Sequence, residues 1–154
     1  MTDEYLNYIV LLENTLGSYY QKIKNLPRLE GARSVLEFME SHSFEHAELI
    51  KETAEKHKKP AIRETMITDF QNNLVEKVFK EISDEKDILR VLETLADSEE
   101  SLGKLYRSIA DLMIRIGDHY REIAAEIAAV ADQEFNHRDL LLKDRDRLKE
   151  KMGG

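Results

Sequence analysis

The chain is predicted to be all-α, with four long helices forming two antiparallel hairpins and a long crossover between them that carries a shorter helix. Three observations predict this. Apolar residues recur in alternating steps of three and four along four segments. The joints within each pair are short, whereas the joint between pairs is long. Two stretches 86 residues apart also nearly repeat: Glu13-Asn14-Thr15-Leu16-Gly17-Ser18-Tyr19-Tyr20-Gln21-Lys22-Ile23 and Glu99-Glu100-Ser101-Leu102-Gly103-Lys104-Leu105-Tyr106-Arg107-Ser108-Ile109. Two copies favour a pair of hairpins over a plain up-down arrangement with an extra helix, and are too few for a solenoid.

The first helix starts after Thr2, a capping residue with Asp3 and Glu4 in the first turn. Its seam runs Leu6, Ile9, Glu13, Leu16, Tyr20, Ile23, and Asn25-Leu26-Pro27 ends it. The second, from about residue 29 to 58, carries Leu36, Met39, Ser43, His46 and Ile50 on one face, and Lys59-Pro60 breaks it. The crossover, about 59–84, contains a short helix near 69–82 with Phe70, Leu74, Val78 and Phe79 available for packing. The third long helix, about 85–116, has the seam Leu92, Leu95, Glu99, Leu102, Tyr106, Ile109, Met113. Gly117-Asp118 reads as a C-cap glycine followed by an N-cap acid. The fourth continues to about 151 through Ile123, Ile127, Val130, Glu134, His137 and Leu141. The hairpins span about 3–58 and 85–151, within one domain covering 1–154.

Composition narrows the function classes. The chain has 154 residues, 42% hydrophobic and 35% charged, with only two Pro, as expected of a soluble helical protein. A formal charge of −8 leaves no basic stripe to replace the counterions of a nucleic acid. Nothing approaches the ~18–20 apolar residues of a membrane span. The start Met1-Thr2-Asp3-Glu4 lacks a signal-peptide core, so a cytoplasmic location is expected. The absence of Cys excludes disulfides, iron–sulfur clusters and thiol catalysis within the chain.

Chemistry is suggested by polar residues in apolar seams. Glu13 lies four after Ile9 and three before Leu16; Glu99 lies four after Leu95 and three before Leu102. A carboxylate at such a position faces the core, where an unpaired charge costs several kcal/mol. His46, Glu134 and His137 occupy matching positions, and Glu134-Phe135-Asn136-His137 puts carboxylate and imidazole one turn apart. Metal coordination compensates such a set directly, and carboxylates with imidazoles suit iron, manganese or zinc. Each residue alone is also accounted for blandly, Glu13 as a rim residue, His46 as a hydrogen-bonded core histidine, Tyr20 and Tyr106 as core filling. Five at consistent phases shift the balance toward a metal site, with the two tyrosines as hydrogen-bond partners of its carboxylates.

On these residues the chain resembles the ferritin-like superfamily, and within it the di-iron domain of the rubrerythrins, over nearly its whole length. The resemblance implies that Glu13 and His46 serve one metal, Glu99 and His137 the other, with Glu134 bridging. A fourth carboxylate is expected at position 43, where this chain has Ser43. Three carboxylates under-neutralise two divalent cations. That leaves open a pair bridged by water or hydroxide, a single ion, or no ion with the buried acids protonated. By helix phase His42, which shares a face with His46, is a better replacement ligand than Glu40, and Glu45 should point outward. His57 and His119 are expected at the solvated surface, and the run 143–151 as an exposed helix end with intrahelical ion pairs.

The leading expectation is therefore a non-haem di-iron protein handling peroxide, oxygen or ferrous iron, with electrons from a separate donor protein because no in-chain thiolate iron centre exists. A homodimer is left open. The alternatives are a helical scaffold that has lost redox function, and a mononuclear zinc or iron site at the His137 end.

Overall fold

The computed structural model describes residues 2–56 and 76–153, and among these every regular element is helical. Five α-helices appear: α1 (Thr2–Ile23), α2 (Arg33–Lys56), α3 (Glu76–Asp84), α4 (Ile88–Ile116) and α5 (Arg121–Gly153). His57, the Lys59-Pro60 break, Phe70, Leu74 and the expected start of the short helix lie outside the described residues, as does the side chain of His119.

Local chemistry moves several boundaries. The second long helix begins at Arg33 rather than near 29, because Pro27–Ala32 forms a 3-10 turn with proline in its first turn. This turn is anchored, since Leu29 and Ala32 are buried. The third begins at Ile88 rather than 85, where the Asp87 carboxylate accepts the Leu89 N–H at 3.0 Å. Gly117 has φ 156° and ψ 165°, a backbone region that effectively requires glycine. Asp118 does not cap α5 directly. It opens a 3-10 turn to Tyr120, and α5 starts after it.

Two apolar clusters fix the directions of the helices. One joins Leu6, Ile9 and Leu12 of α1, Ile50 of α2, Ile109 and Met113 of α4, and Ile123 and Ile127 of α5. The other joins Tyr19 and Ile23 of α1, Leu36 and Met39 of α2, Leu92 and Leu95 of α4, and Leu141 of α5. Helices α1 and α5 thus run from the first cluster to the second, and α2 and α4 run back. Each hairpin is antiparallel, and the long connection joins the parallel helices α2 and α4. Between hairpins, α2 and α5 approach most closely.

Both clusters draw on all four long helices, and both stop short of the middle. There each helix turns polar side chains inward: Glu13 from α1, Ser43 and His46 from α2, Glu99 from α4, Glu134 and His137 from α5. Apolar packing above and below holds these side chains in a layer sealed from solvent. Among the described residues, no helix is long and apolar enough to cross a membrane.

Candidate metal centre

All five seam residues singled out by the sequence meet in this layer. Glu13 is 0% exposed, Glu99 and Glu134 1%, His46 and His137 3%. Their ligand atoms fall into two overlapping groups, each within 4.8 Å: Glu13, His46 and Glu134, and Glu99, Glu134 and His137. Glu134 belongs to both. His46 Nδ1 lies 2.9 Å from Glu134 Oε1 and 3.7 Å from Glu13 Oε1. His137 Nδ1 lies 3.6 Å from Glu134 Oε2 and 3.7 Å from Glu99 Oε2. The imidazoles stack with centroids 5.6 Å apart and planes 14° apart, so both present the same edge to the acids.

The tyrosines hold the outer carboxylates, each reaching into the other hairpin. Tyr20 of α1 donates its O–H to Glu99 Oε1 at 2.6 Å, and Tyr106 of α4 donates to Glu13 Oε1 at 2.8 Å. Sequence reasoning had tied each tyrosine to the carboxylates without seeing this exchange. Burial pushes both phenols well above their ordinary range, and the neighbouring carboxylates push them further, so they stay proton donors. Each leaves the second oxygen of its carboxylate free: among the described residues Glu13 Oε2 and Glu99 Oε2 have no hydrogen-bond partner, nor do Glu134 Oε1 and His46 Nδ1. Although His46 Nδ1 is near Glu134 Oε1, the pair is not aligned as a hydrogen bond.

The histidines are oriented from behind. His46 Nε2 contacts the Gln133 Oε1 atom, and His137 Nε2 contacts His42 Nδ1 at 3.1 Å. With the Gln133 oxygen facing it, the His46 proton is assigned to Nε2, which leaves the Nδ1 lone pair directed at the acids. Gln133 was missed by the sequence reading. The available signal was its place four residues before His137, matching His42 before His46.

Glycines let these helices approach. A Cβ on Gly17 would lie 2.8 Å from the Phe44 ring, and one on Gly103 would lie 2.9 Å from the Phe135 ring. Each ring packs onto the facing helix two residues before a site histidine, which sets the depth of that histidine.

The electrostatics show what the cluster does alone. Burial, reinforced by the charges of Glu13 and Glu99, raises Glu134 well above the ordinary carboxylate range, so it keeps its proton. Burial would raise Glu99 too, but the nearby Glu134 and His137 and the Tyr20 hydroxyl outweigh it and hold Glu99 low. Burial would likewise lower His46, yet Glu13, Gln133 and Glu99 raise it. Glu134 is the nearer carboxylate to His46, but as the protonated acid it contributes little charge, and the attraction comes from Glu13. A cation bound among these groups would compete with the proton that the raised Glu134 retains.

The remaining candidates separate clearly. Ser43 is buried at 4% exposure and faces the layer as its phase required. His42 is half-buried and sits behind His137, among imidazoles rather than among the acids. Glu40 is bound by Lys24 Nζ at 2.6 Å, and Glu45 is exposed. In the terminal run, Arg147 pairs with Asp144 at 2.8 Å, but Leu148 is buried. The buried Glu and His groups are able to hold a metal. No family model matches this chain, and neither a curated protein nor a solved structure does.

Proposed function

We propose that the chain is a ferritin-like four-helix bundle of the rubrerythrin kind, which holds metal, iron first, in its polar layer and handles peroxide, oxygen or ferrous iron. One observation carries this reading: three carboxylate oxygens and an imidazole nitrogen, all buried, converge without hydrogen-bond partners among the described residues. Buried polar atoms in native proteins are normally satisfied, and a cluster of such exceptions, all potential ligands, fits a cation.

Glu13 and His46 would hold one ion, Glu99 and His137 the other, and Glu134 would join both. Iron bound there supplies the exchange of electrons with peroxide or oxygen. The protein's own part is to exclude water through the flanking apolar clusters, and to steady Glu13 and Glu99 with tyrosine hydroxyls. Gln133 fixes the His46 tautomer. The Glu134 proton must leave on binding, so uptake strengthens as pH rises. Because the chain has no Cys, electrons would come from a separate donor protein, in a cytoplasmic setting.

Ser43 favours a second reading. A hydroxyl stands where a second joining carboxylate would balance the charge of two divalent ions, which supports a single ion beside Glu99, Glu134 and His137. Metal analysis after purification without chelator, and after anaerobic loading with ferrous iron, decides between these. About two irons per chain supports the paired site and about one the single site. None at all leaves a helical scaffold and overturns the proposal.

A further inference from the structure

On the solvent side of the layer three imidazoles meet. His42 Nδ1 lies 3.1 Å from His137 Nε2. Ring centroids are 5.0 Å apart for His42 and His137, and 6.1 Å for His42 and His46. One nitrogen from each of His42, His46 and His137 falls within 4.8 Å of the others, in a group without carboxylates. His46 and His137 turn their Nδ1 edges to the acids, so their Nε2 edges remain for this outer group.

We propose that His42, His46 and His137 form a second, outer metal site for a divalent cation that prefers nitrogen ligands, such as Zn2+ or Cu2+. Three imidazoles with no carboxylate among them favour these ions over magnesium, manganese or calcium. Three histidines with an open fourth position is also a standard zinc arrangement. The spacing is close to what is needed: ligands ~2.0–2.1 Å from a tetrahedral ion stand about 3.3 Å from one another. The mouth of the site faces solvent, since His42 is half-buried and Gln133 exposed. Gln133 must release His46 Nε2, which an exposed side chain can do by rotating, and the His46 proton must shift to Nδ1, toward the acids. Phe38 lies against the His42 ring, centroids 3.9 Å apart, and restricts its orientation. Within the repeat, His42 stands where the second hairpin has Gln133, so the third imidazole is a departure specific to the first hairpin.

This site uses the opposite nitrogen edges of His46 and His137, and since a neutral imidazole has one lone pair, filling it competes with the use of those rings in the carboxylate site. The test titrates the metal-free full chain with Zn2+ and with Cu2+, following Cu2+ by its electron paramagnetic resonance spectrum. The wild type is expected to bind Cu2+ with coupling to three nitrogens. His42→Ala should weaken binding of both ions about tenfold or more and lose one nitrogen coupling. His42→Gln, which copies the second hairpin, should do the same and guards against a packing artefact. Glu134→Gln should leave the spectrum unchanged. Unaltered affinity and spectrum in both His42 variants would overturn the proposal, as would loss of Cu2+ binding in Glu134→Gln alone, which would place the ion among the acids. Failure of the wild type to take up iron, with Cu2+ binding intact, would count only against the function proposed above.

Discussion

In the first hairpin Glu13, Gly17, Tyr20, Phe44 and His46 stand where the second has Glu99, Gly103, Tyr106, Phe135 and His137, with offsets of 86 residues on the first helices and 91 on the second. The shared residues perform the same physical tasks twice: a buried acid, a tyrosine donor for the opposite acid, a glycine seat for an aromatic ring, an inward imidazole. The hairpins differ where the cluster's charge is set. Ser43 stands where the second hairpin has Glu134, and His42 takes the place of Gln133. Repetition therefore builds the frame, and two departures from it determine how many charges and which ligands the frame encloses.

The largest expected effect tests whether Glu134 serves both halves. Glu134→Gln should weaken Mn2+ or ferrous iron binding on the order of 100-fold or more, since even supporting residues around a metal are worth 10–100-fold. Ser43→Ala should leave binding unchanged. Titration of both variants checks this, and equal losses would mean that the hairpins contribute alike. Ser43→Glu restores the symmetry and should raise iron uptake toward about two per chain. Its cost falls on the metal-free form, about 1–3 kcal/mol by chemical denaturation, because a further acid enters a dry layer.

Most of this frame was legible in the sequence because helical periodicity and a repeat are local signals. The seams placed Glu13, Glu99, Glu134, His46 and His137 inward, and burial agrees at each. What stayed hidden depends on three-dimensional pairing. No spacing rule says that Tyr20 serves Glu99 rather than Glu13, because that choice is made by how the hairpins face each other. Helix phase put His42 about 60° from the inward direction, too coarse to separate a ligand among the acids from one behind His137. The boundary errors at Pro27, Asp87 and Asp118 have one origin: caps and 3-10 turns are decided by single hydrogen bonds that periodicity does not register.

A somewhat smaller effect concerns the reciprocal tyrosine bonds. Removing Glu99 with Leu strips Tyr20 of its acceptor, and a buried unpaired hydroxyl costs about 1–3 kcal/mol. Glu99→Leu should therefore destabilise the metal-free protein, and adding Tyr20→Phe should recover most of the loss. The pair Glu13→Leu and Tyr106→Phe should behave alike in denaturant unfolding. A difference between the pairs would show that the hairpins are symmetric in geometry only.

The acids and histidines also predict opposite pH responses with and without metal. Glu134 is raised from 4.5, so its stabilising contribution is complete below 4.5 and is lost as pH climbs through its elevated folded value. His46, raised from 6.5, loses its contribution as pH rises past 6.5. Glu99 is lowered and contributes above 4.5, failing only in acid. Metal-free Tm should thus fall from mildly acidic to alkaline pH, and Glu134→Gln should flatten that slope. Metal displaces the same protons, so the Tm gain on loading should widen with pH.

The smallest effect compares the two glycine seats. Gly17→Ala and Gly103→Ala would each set a methyl 2.8 or 2.9 Å from an aromatic ring, an overlap that forces the ring outward. Overpacking of this kind costs about 1–3 kcal/mol, while alanine in a helix returns about 1 kcal/mol relative to glycine. Because Phe44 and Phe135 are only half-buried, the rings can yield. The net loss should stay near 1 kcal/mol in both hairpins. Metal affinity is where the variants should part. Phe44 stands between Ser43 and His46, so its displacement disturbs one ligand. Phe135 stands between Glu134 and His137, so its displacement moves a terminal ligand and the shared carboxylate together. Gly103→Ala should weaken metal binding more than Gly17→Ala at equal cost in stability, and equal weakening would mean that Glu134 is not shared.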